Sequence, residues 1–418
     1  MRKPSQIRKV FRVLKRTGLK LRRKGILYWV VVFILIAGGS WVGGLLERQD
    51  FALDWRYKLS QVMQSQTPRV PFIQRTVLVL INDEEYWKGE LARRVPIKRD
   101  YLAHLVEHLD HADPALIAID FDLRSPVPDG SLVEHEKYWY ERDELLNEIK
   151  RVSQNPNRWV ILPRTIRWQD GSYVAESDIH DGFDFTGCNV LKGYIQLPYD
   201  IRKIPLGVSL KDGTRALSFA EAVVQATNER ALKRVEGEEE LPYGTYLKPG
   251  DFEQFSATDV INENPEAVKK FRHNIVIIGA GWSKTAYGRG GPADSFATPV
   301  GPVRGAFIHA NFVEALLDNR TSPPWSEHVR EVIEILLAVT LAIVFALLDQ
   351  PLGKGLGLLA LVTVLIIFSY FSWLNLGHFY DFLIPLVLIG LHAIYEQIQI
   401  ILEWRGEARK HHQAKAQT

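Results

Sequence analysis

Asn274-Ile275-Val276-Ile277-Ile278-Gly279 is the run on which the fold turns. Its successive β-branched residues, closed by Gly279-Ala280-Gly281, describe a strand buried on both faces, as strands of parallel sheets are. Thr76-Val77-Leu78-Val79-Leu80-Ile81 has the same character and ends at the turn-like Asn82-Asp83. Leu102, Leu105, Val106 and Leu109 then recur at helical spacing within Tyr101–His111. Leu116-Ile117-Ala118-Ile119 follows as another buried strand and ends in Asp120-Phe121-Asp122. Strand, helix and strand with carboxylates at the strand ends make a βαβ unit. Trp159-Val160-Ile161-Leu162 predicts a third strand, Ser218–Ala226 a helix, and Gly305–Asn319 a helix behind the 274–279 strand. Residues 125–145 and 168–215, rich in Gly, Pro, Asp and Tyr, are expected to form long loops or a small β-subdomain. The predicted class is α/β, a mostly parallel sheet flanked by helices.

Outward from this region the chain becomes apolar at both ends. Ile26–Leu46 is 21 residues without a charge, enough to span a bilayer. Three further spans are expected at about Val332–Leu348, Gly355–Leu374 and Phe382–Ile401. A cleaved signal peptide competes for the first run, but its apolar length, continuing through Trp41, Val42 and Leu45, favours an uncleaved anchor. Basic residues gather from Arg2 to Lys24 and again at Arg405, Arg409, Lys410 and Lys415. By the positive-inside rule both termini are cytoplasmic, which requires an even number of spans. The expected organisation is a basic tail over 1–25, a span over 26–46, an extracytoplasmic domain over 47–328, three spans over 329–402 and a second tail over 403–418. The basic tails would meet the anionic lipid of the membrane's inner leaflet. No nucleic-acid role follows from those tails, because an apolar span succeeds the first at once. A net charge of +2 calls for no acidic partner, and the single Cys188 excludes an internal disulfide and a cysteine-based metal cluster.

Several stretches together resemble a known family. Phe51-Ala52-Leu53-Asp54-Trp55-Arg56 resembles the entry segment of the second type of CHASE domain, an extracytoplasmic sensory domain of bacterial signalling proteins. Val77–Asp83 followed by Pro96-Ile97-Lys98-Arg99, and then Ala118–Leu123, are similar to its successive strands and to its Pro-x-x-Arg. Ile275–Ala280, Thr298-Pro299, Gly305–Asn311 and Leu316–Arg320 resemble its closing motif, and the three last spans match its usual layout. The resemblance covers roughly residues 47–402 and rests on the order and spacing of these motifs. Family members commonly continue into a cytoplasmic cyclase or kinase. About 16 residues follow Leu402 here, so the expectation is a sensor that signals to a separate effector.

Ligands of open parallel sheets bind beyond the carboxyl ends of the strands. That rule nominates Asn82, Asp83, Asp120, Asp122 and Gly279, with Arg99, Asp294 and His309 able to join them. Ordinary helix caps and loop ion pairs would use the same residue types. Gly279-Ala280-Gly281 fails as a dinucleotide fingerprint because Lys284 stands where the third glycine belongs. There is no P-loop and no Gly-x-Ser-x-Gly elbow, no cofactor is implied, and the spacing reading finds no metal-ligand set. No catalytic residue is nominated and the chain is not expected to be an enzyme. In the last span, Glu396 is either a costly intramembrane acid or an interfacial one. Ile398 and Ile401 continue an apolar stripe suited to a partner helix, and Pro385 introduces a kink. The leading expectation is a sensor of a small ligand or a periplasmic protein, working as a homodimer. The alternative is a non-enzymatic scaffold or assembly subunit of an envelope complex.

Overall fold

The computed structural model describes residues 74–321, apart from positions 90, 92–93, 95, 125–131, 199–200, 202, 229–231, 233–238, 243–245, 285–292, 299 and 319–320, together with Thr363, Val364 and Ile367. In chain order the first elements are β1 (Thr76–Ile81), α1 (Arg99–His111), β2 (Leu116–Ile119), α2 (Leu132–Ser153) and β3 (Trp159–Arg164). Smaller β elements follow: β4 (Ile166–Gln169), β5 (Ser172–Ala175), β6 (Val190–Tyr194), β7 (Lys203–Pro205), β8 (Gly207–Ser209) and β9 (Arg215–Leu217). Then come α3 (Phe219–Thr227), β10 (Glu240–Pro242), β11 (Glu253–Ser256), α4 (Ala257–Ile261) and α5 (Pro265–Phe271). The domain closes with β12 (Ile275–Ala280), β13 (Ser295–Thr298), β14 (Gly301–Arg304) and α6 (Gly305–Leu317).

Six strands form one sheet in the order β11-β1-β12-β2-β3-β6, and every pairing in it is parallel. All six residues of β1 are buried, as are five of the six in β12, so the runs read as two-face-buried strands are just that. Side chains alternate across the sheet. Val77, Val79, Ile117, Ile119, Val276 and Ile278 pack under α1, α2, α4 and α5. Leu78, Leu80, Leu116, Ala118, Ile275 and Ile277 pack under α3 and α6. The result is three layers, helix–sheet–helix, with β12, the last of the sheet's six strands in sequence, inserted between β1 and β2.

One sequence expectation changes and a second, the β alternative for residues 168–215, is filled in. Residues 132–145, expected as loop, lie in the 22-residue α2. Its buried Tyr138, Leu145, Leu146, Ile149 and Val152 hold one helical face against the core, and tertiary burial outweighs a charged, aromatic composition. The stretch 168–215 carries the hairpins β4–β5 and β8–β9, and also β6, which joins the main sheet. Among the described residues no helix is long and apolar enough to cross a membrane. The expected spans, with Pro385, Glu396, Ile398 and Ile401, lie outside the described residues. The exceptions are Thr363, Val364 and Ile367, which are helical and exposed.

Candidate ligand site at the strand ends

β2 runs out at Ile119, and the next residue stays in the ladder: the Asp120 amide donates to the Ile278 carbonyl at 2.8 Å. The Asp120 side chain is thereby held at the carboxyl end of the sheet, beside the end of β12. There a cavity of about 490 Å³ opens, lined among others by Asp120, Phe121, Asp122, Thr165, Ile195, Ala280, Trp282, Asp294, Phe296, Gly305 and His309. Its size is in the range of small-molecule sites, and polar and charged residues make up more than half of its lining.

Two glycines bring α6 to this cavity. A Cβ on Gly279 would stand 2.5 Å from the Ala306 Cβ, so only glycine lets the first turn of α6 press on β12. A Cβ on Gly305 would stand 2.2 Å from the Asp294 Oδ2, and the Gly305 amide donates to that carboxylate at the start of α6. One helical turn later, His309 lies on the same face. Its Nε2 donates to the Ile195 carbonyl at 3.2 Å and stands 3.6 Å from the Asp120 Oδ1. The imidazole is 3 % exposed, and its Nδ1 has no hydrogen-bond partner among the described residues.

Burial sets the charge states. Desolvation pushes the Asp120 carboxyl up to about 8, and the neighbouring Asp294 adds to the shift. Burial also raises Asp294, against the lowering effect of the Gly305 amide. Desolvation pushes His309 down to about 4, opposed by its hydrogen bond to Ile195. Close as they are, Asp120 and His309 are therefore both neutral near pH 7, and the contact is not an ion pair. The interior thus offers a protonated acid, a second acid and a neutral imidazole acceptor, a set that favours a hydrogen-bond-donating or cationic head group.

The wall is aromatic. Trp282, just past β12, stacks on Tyr86 at 4.1 Å and 6° and on Phe121 at 5.9 Å and 5°. At the mouth Arg124 forks onto Asp122, with Nη2–Oδ2 at 2.6 Å, and reaches the Glu176 Oε2 at 3.0 Å. Arg167 takes the other Glu176 oxygen at 3.4 Å. The mouth arginines are thus matched by carboxylates of their own.

Of the nominated residues, Asp120, Asp122, Asp294 and His309 line the cavity. Gly279 contributes by close packing instead. Asn82 and Asp83 tie loops together: the Asn82 amide donates to the Glu85 Oε2 at 2.9 Å, and Asp83 accepts from the Ser283 amide at 2.7 Å and its hydroxyl at 3.1 Å. Arg99 is not in the cavity. It is fully buried between α1 and α2, its guanidinium 5.1 Å from the Tyr138 ring centre and donating to the Ile97 carbonyl at 2.5 Å. Arg99 therefore does not join the other nominated residues at the strand ends, and its Nε and Nη2 have no hydrogen-bond partner among the described residues. The Tyr86–Trp282–Phe121 stack escaped the sequence reading, and so did a surface cluster of His108, His111 and Glu263 with metal-ligand distances. The His108-x-x-His111 spacing was the available signal for the latter.

A parallel sheet covered by helices on both faces, with a cavity at its carboxyl edge, defines an α/β domain. The CHASE2 domain family matches residues 28–347, and the chain belongs to that family. CHASE2 domains are sensory domains of signalling proteins. No curated protein and no solved structure matches the chain.

Proposed function

We propose that this chain is a membrane-bound extracytoplasmic sensor. In this reading residues 47–328 face the periplasm of a bacterial cell, spans at 26–46 and 329–402 anchor them in the inner membrane, and the tails 1–25 and 403–418 lie in the cytoplasm. The cavity takes a small organic ligand with an amino or other donor head and an apolar body, and the signal passes to a separate effector. The observation that carries this is the convergence of Asp120, Asp294 and His309, each shifted by burial, inside a cavity walled by Phe121 and Trp282. Polar groups with displaced titration in a cleft are the physical mark of a binding site.

Helix α6 supports the transmission step. It carries Gly305 and His309 at the cavity, and further along it Glu314 accepts the amides of Arg75 and Thr76 at 2.7 Å each, at the start of β1. Arg75 also pairs with Asp318 at 2.7 Å, just past the helix end. The residues after α6 lead toward the expected span that begins near Val332, so a shift of α6 would be felt there.

The test is a thermal-shift screen of the full chain in detergent against amines, amino acids, nucleosides and peptidoglycan fragments. A concentration-dependent rise in melting temperature that is absent in Asp120→Ala is expected. A rise that survives Asp120→Ala would move the site elsewhere. The absence of any rise, with partners co-purifying stably, would favour the scaffold reading.

A further inference from the structure

On the far edge of the domain from the cavity, α1 ends in His108-x-x-His111, which puts two imidazoles on one helical face. Glu263 meets them from the turn between α4 and α5. Its φ of 49° is a left-handed conformation that few non-glycine residues adopt. The Glu263 Oε1 lies 3.3 Å from the His108 Nδ1 and 3.1 Å from the His111 Nδ1. All three donor atoms fall within 4.8 Å of one another.

Those distances are hydrogen-bond lengths that also suit a metal site. Ligand atoms held about 2.0–2.1 Å from a tetrahedral ion lie about 3.3 Å apart, so both carboxylate–imidazole separations match edges of such a polyhedron. Two imidazoles and one carboxylate form a donor set for borderline divalent metals rather than for calcium or magnesium, which seek oxygen alone. The side chains are 27 %, 57 % and 52 % exposed, which leaves an entry path and a coordination position for water.

We propose that His108, His111 and Glu263 form a surface site for a divalent transition metal of the zinc class, with water completing the tetrahedron. The ion cross-links the end of α1 to the α4–α5 turn, bridging positions 152 residues apart in sequence. A hydrogen-bonded stitch without metal would use the same three side chains, and metal binding separates the two.

The experiment uses the full chain in detergent, purified without a polyhistidine tag and stripped with chelator. Zinc is titrated in competition with a chromophoric chelator, and cobalt is substituted for its visible spectrum. One zinc per chain, a tetrahedral cobalt spectrum and a zinc-dependent rise in melting temperature are expected. Glu263→Gln and His111→Asn are expected to weaken zinc binding by more than the 10- to 100-fold that loss of an outer-shell partner costs, with the metal-free melting temperature reporting whether each variant is folded. His411→Ala with His412→Ala keeps the single site, which separates it from the tail histidines. Failure of the wild-type chain to bind zinc would overturn the proposal. So would equal affinity in Glu263→Gln and the wild type.

Discussion

Among the described residues, two aspartate–histidine pairs are built alike and placed differently. His309 donates from Nε2 to the Ile195 carbonyl at 3.2 Å with Asp120 3.6 Å away. His180 donates from Nε2 to the Pro163 carbonyl at 2.8 Å with Asp178 3.9 Å away. Burial drives both imidazoles down to about 4. The aspartates part company. Asp178, raised by burial to about 6, receives the Thr165 amide at 3.2 Å, and that donor restrains its shift. Asp120 faces a second acid, Asp294, and rises to about 8. Asp120 and His309 line the cavity, whereas Asp178 and His180 do not. Displaced titration alone therefore does not mark a site here. Acidic neighbours raise Asp178 too, through Asp181 and Asp122, so what separates Asp120 is its place in the cavity wall.

The comparison can be broken most sharply by ligand binding. Removing a hydrogen bond to a charged head group costs about 1.5–3 kcal/mol, so Asp120→Ala should weaken the sensed ligand by roughly 10- to 100-fold in calorimetry. Asp178→Ala should leave that affinity within about twofold. Stability should show the reverse emphasis. Asp178→Ala strands the buried Thr165 amide and should cost about 1–3 kcal/mol, read as a lower denaturant midpoint at unchanged slope.

Titration sharpens the contrast further. Asp120 and Asp178 have folded pKa values above their unfolded values of about 3.9, so the folded state holds more protons and stability falls as pH rises through that interval. The loss ends near pH 6 for Asp178 and near pH 8 for Asp120. The histidines work the other way: their stability contribution is present above about 6.5 and is lost as pH falls toward 4. Between about pH 6.5 and 8 the fall of stability among these four groups belongs to Asp120, at up to about 1.4 kcal/mol per pH unit. Asp120→Asn should flatten a plot of unfolding free energy against pH over that window, and Asp178→Asn should not. The smallest effect is expected at the cavity mouth. Arg124 is about half exposed and its ion pairs are worth about 0–1 kcal/mol, so Arg124→Ala should barely move the melting temperature.

The sequence made the central strands legible because β1, β2 and β12 bury both faces, and continuous apolar runs betray that. Edge strands were not legible. β6 carries Lys192 and Gly193, and β11 reads Glu-Gln-Phe-Ser, since each is only partly covered and its composition follows solvent. The insertion of β12 between β1 and β2 is a long-range pairing that no local pattern encodes. The strand-end rule pointed to Asp120 and Asp122, with Asp294 and His309 able to join them, and all four line the cavity. It also gathered Asn82 and Asp83, which bind loops, and Arg99, because polar residues at strand ends serve both purposes. The stack of Trp282 on Tyr86 and Phe121, and the meeting of Glu263 with His111, join residues far apart in the chain and needed the fold to be seen.

The single Cys188, partly exposed in the loop before β6, permits a direct test of where the ligand acts. With Cys188→Ala as background, Ala280→Cys places one thiol in the cavity wall, and blocking it with a bulky maleimide should fill the space. The account predicts that the blocked chain stays folded and loses the ligand-induced rise in melting temperature, while the wild-type chain blocked at Cys188 keeps it. An undiminished rise after Ala280→Cys is blocked would contradict a ligand site at the carboxyl ends of β2 and β12.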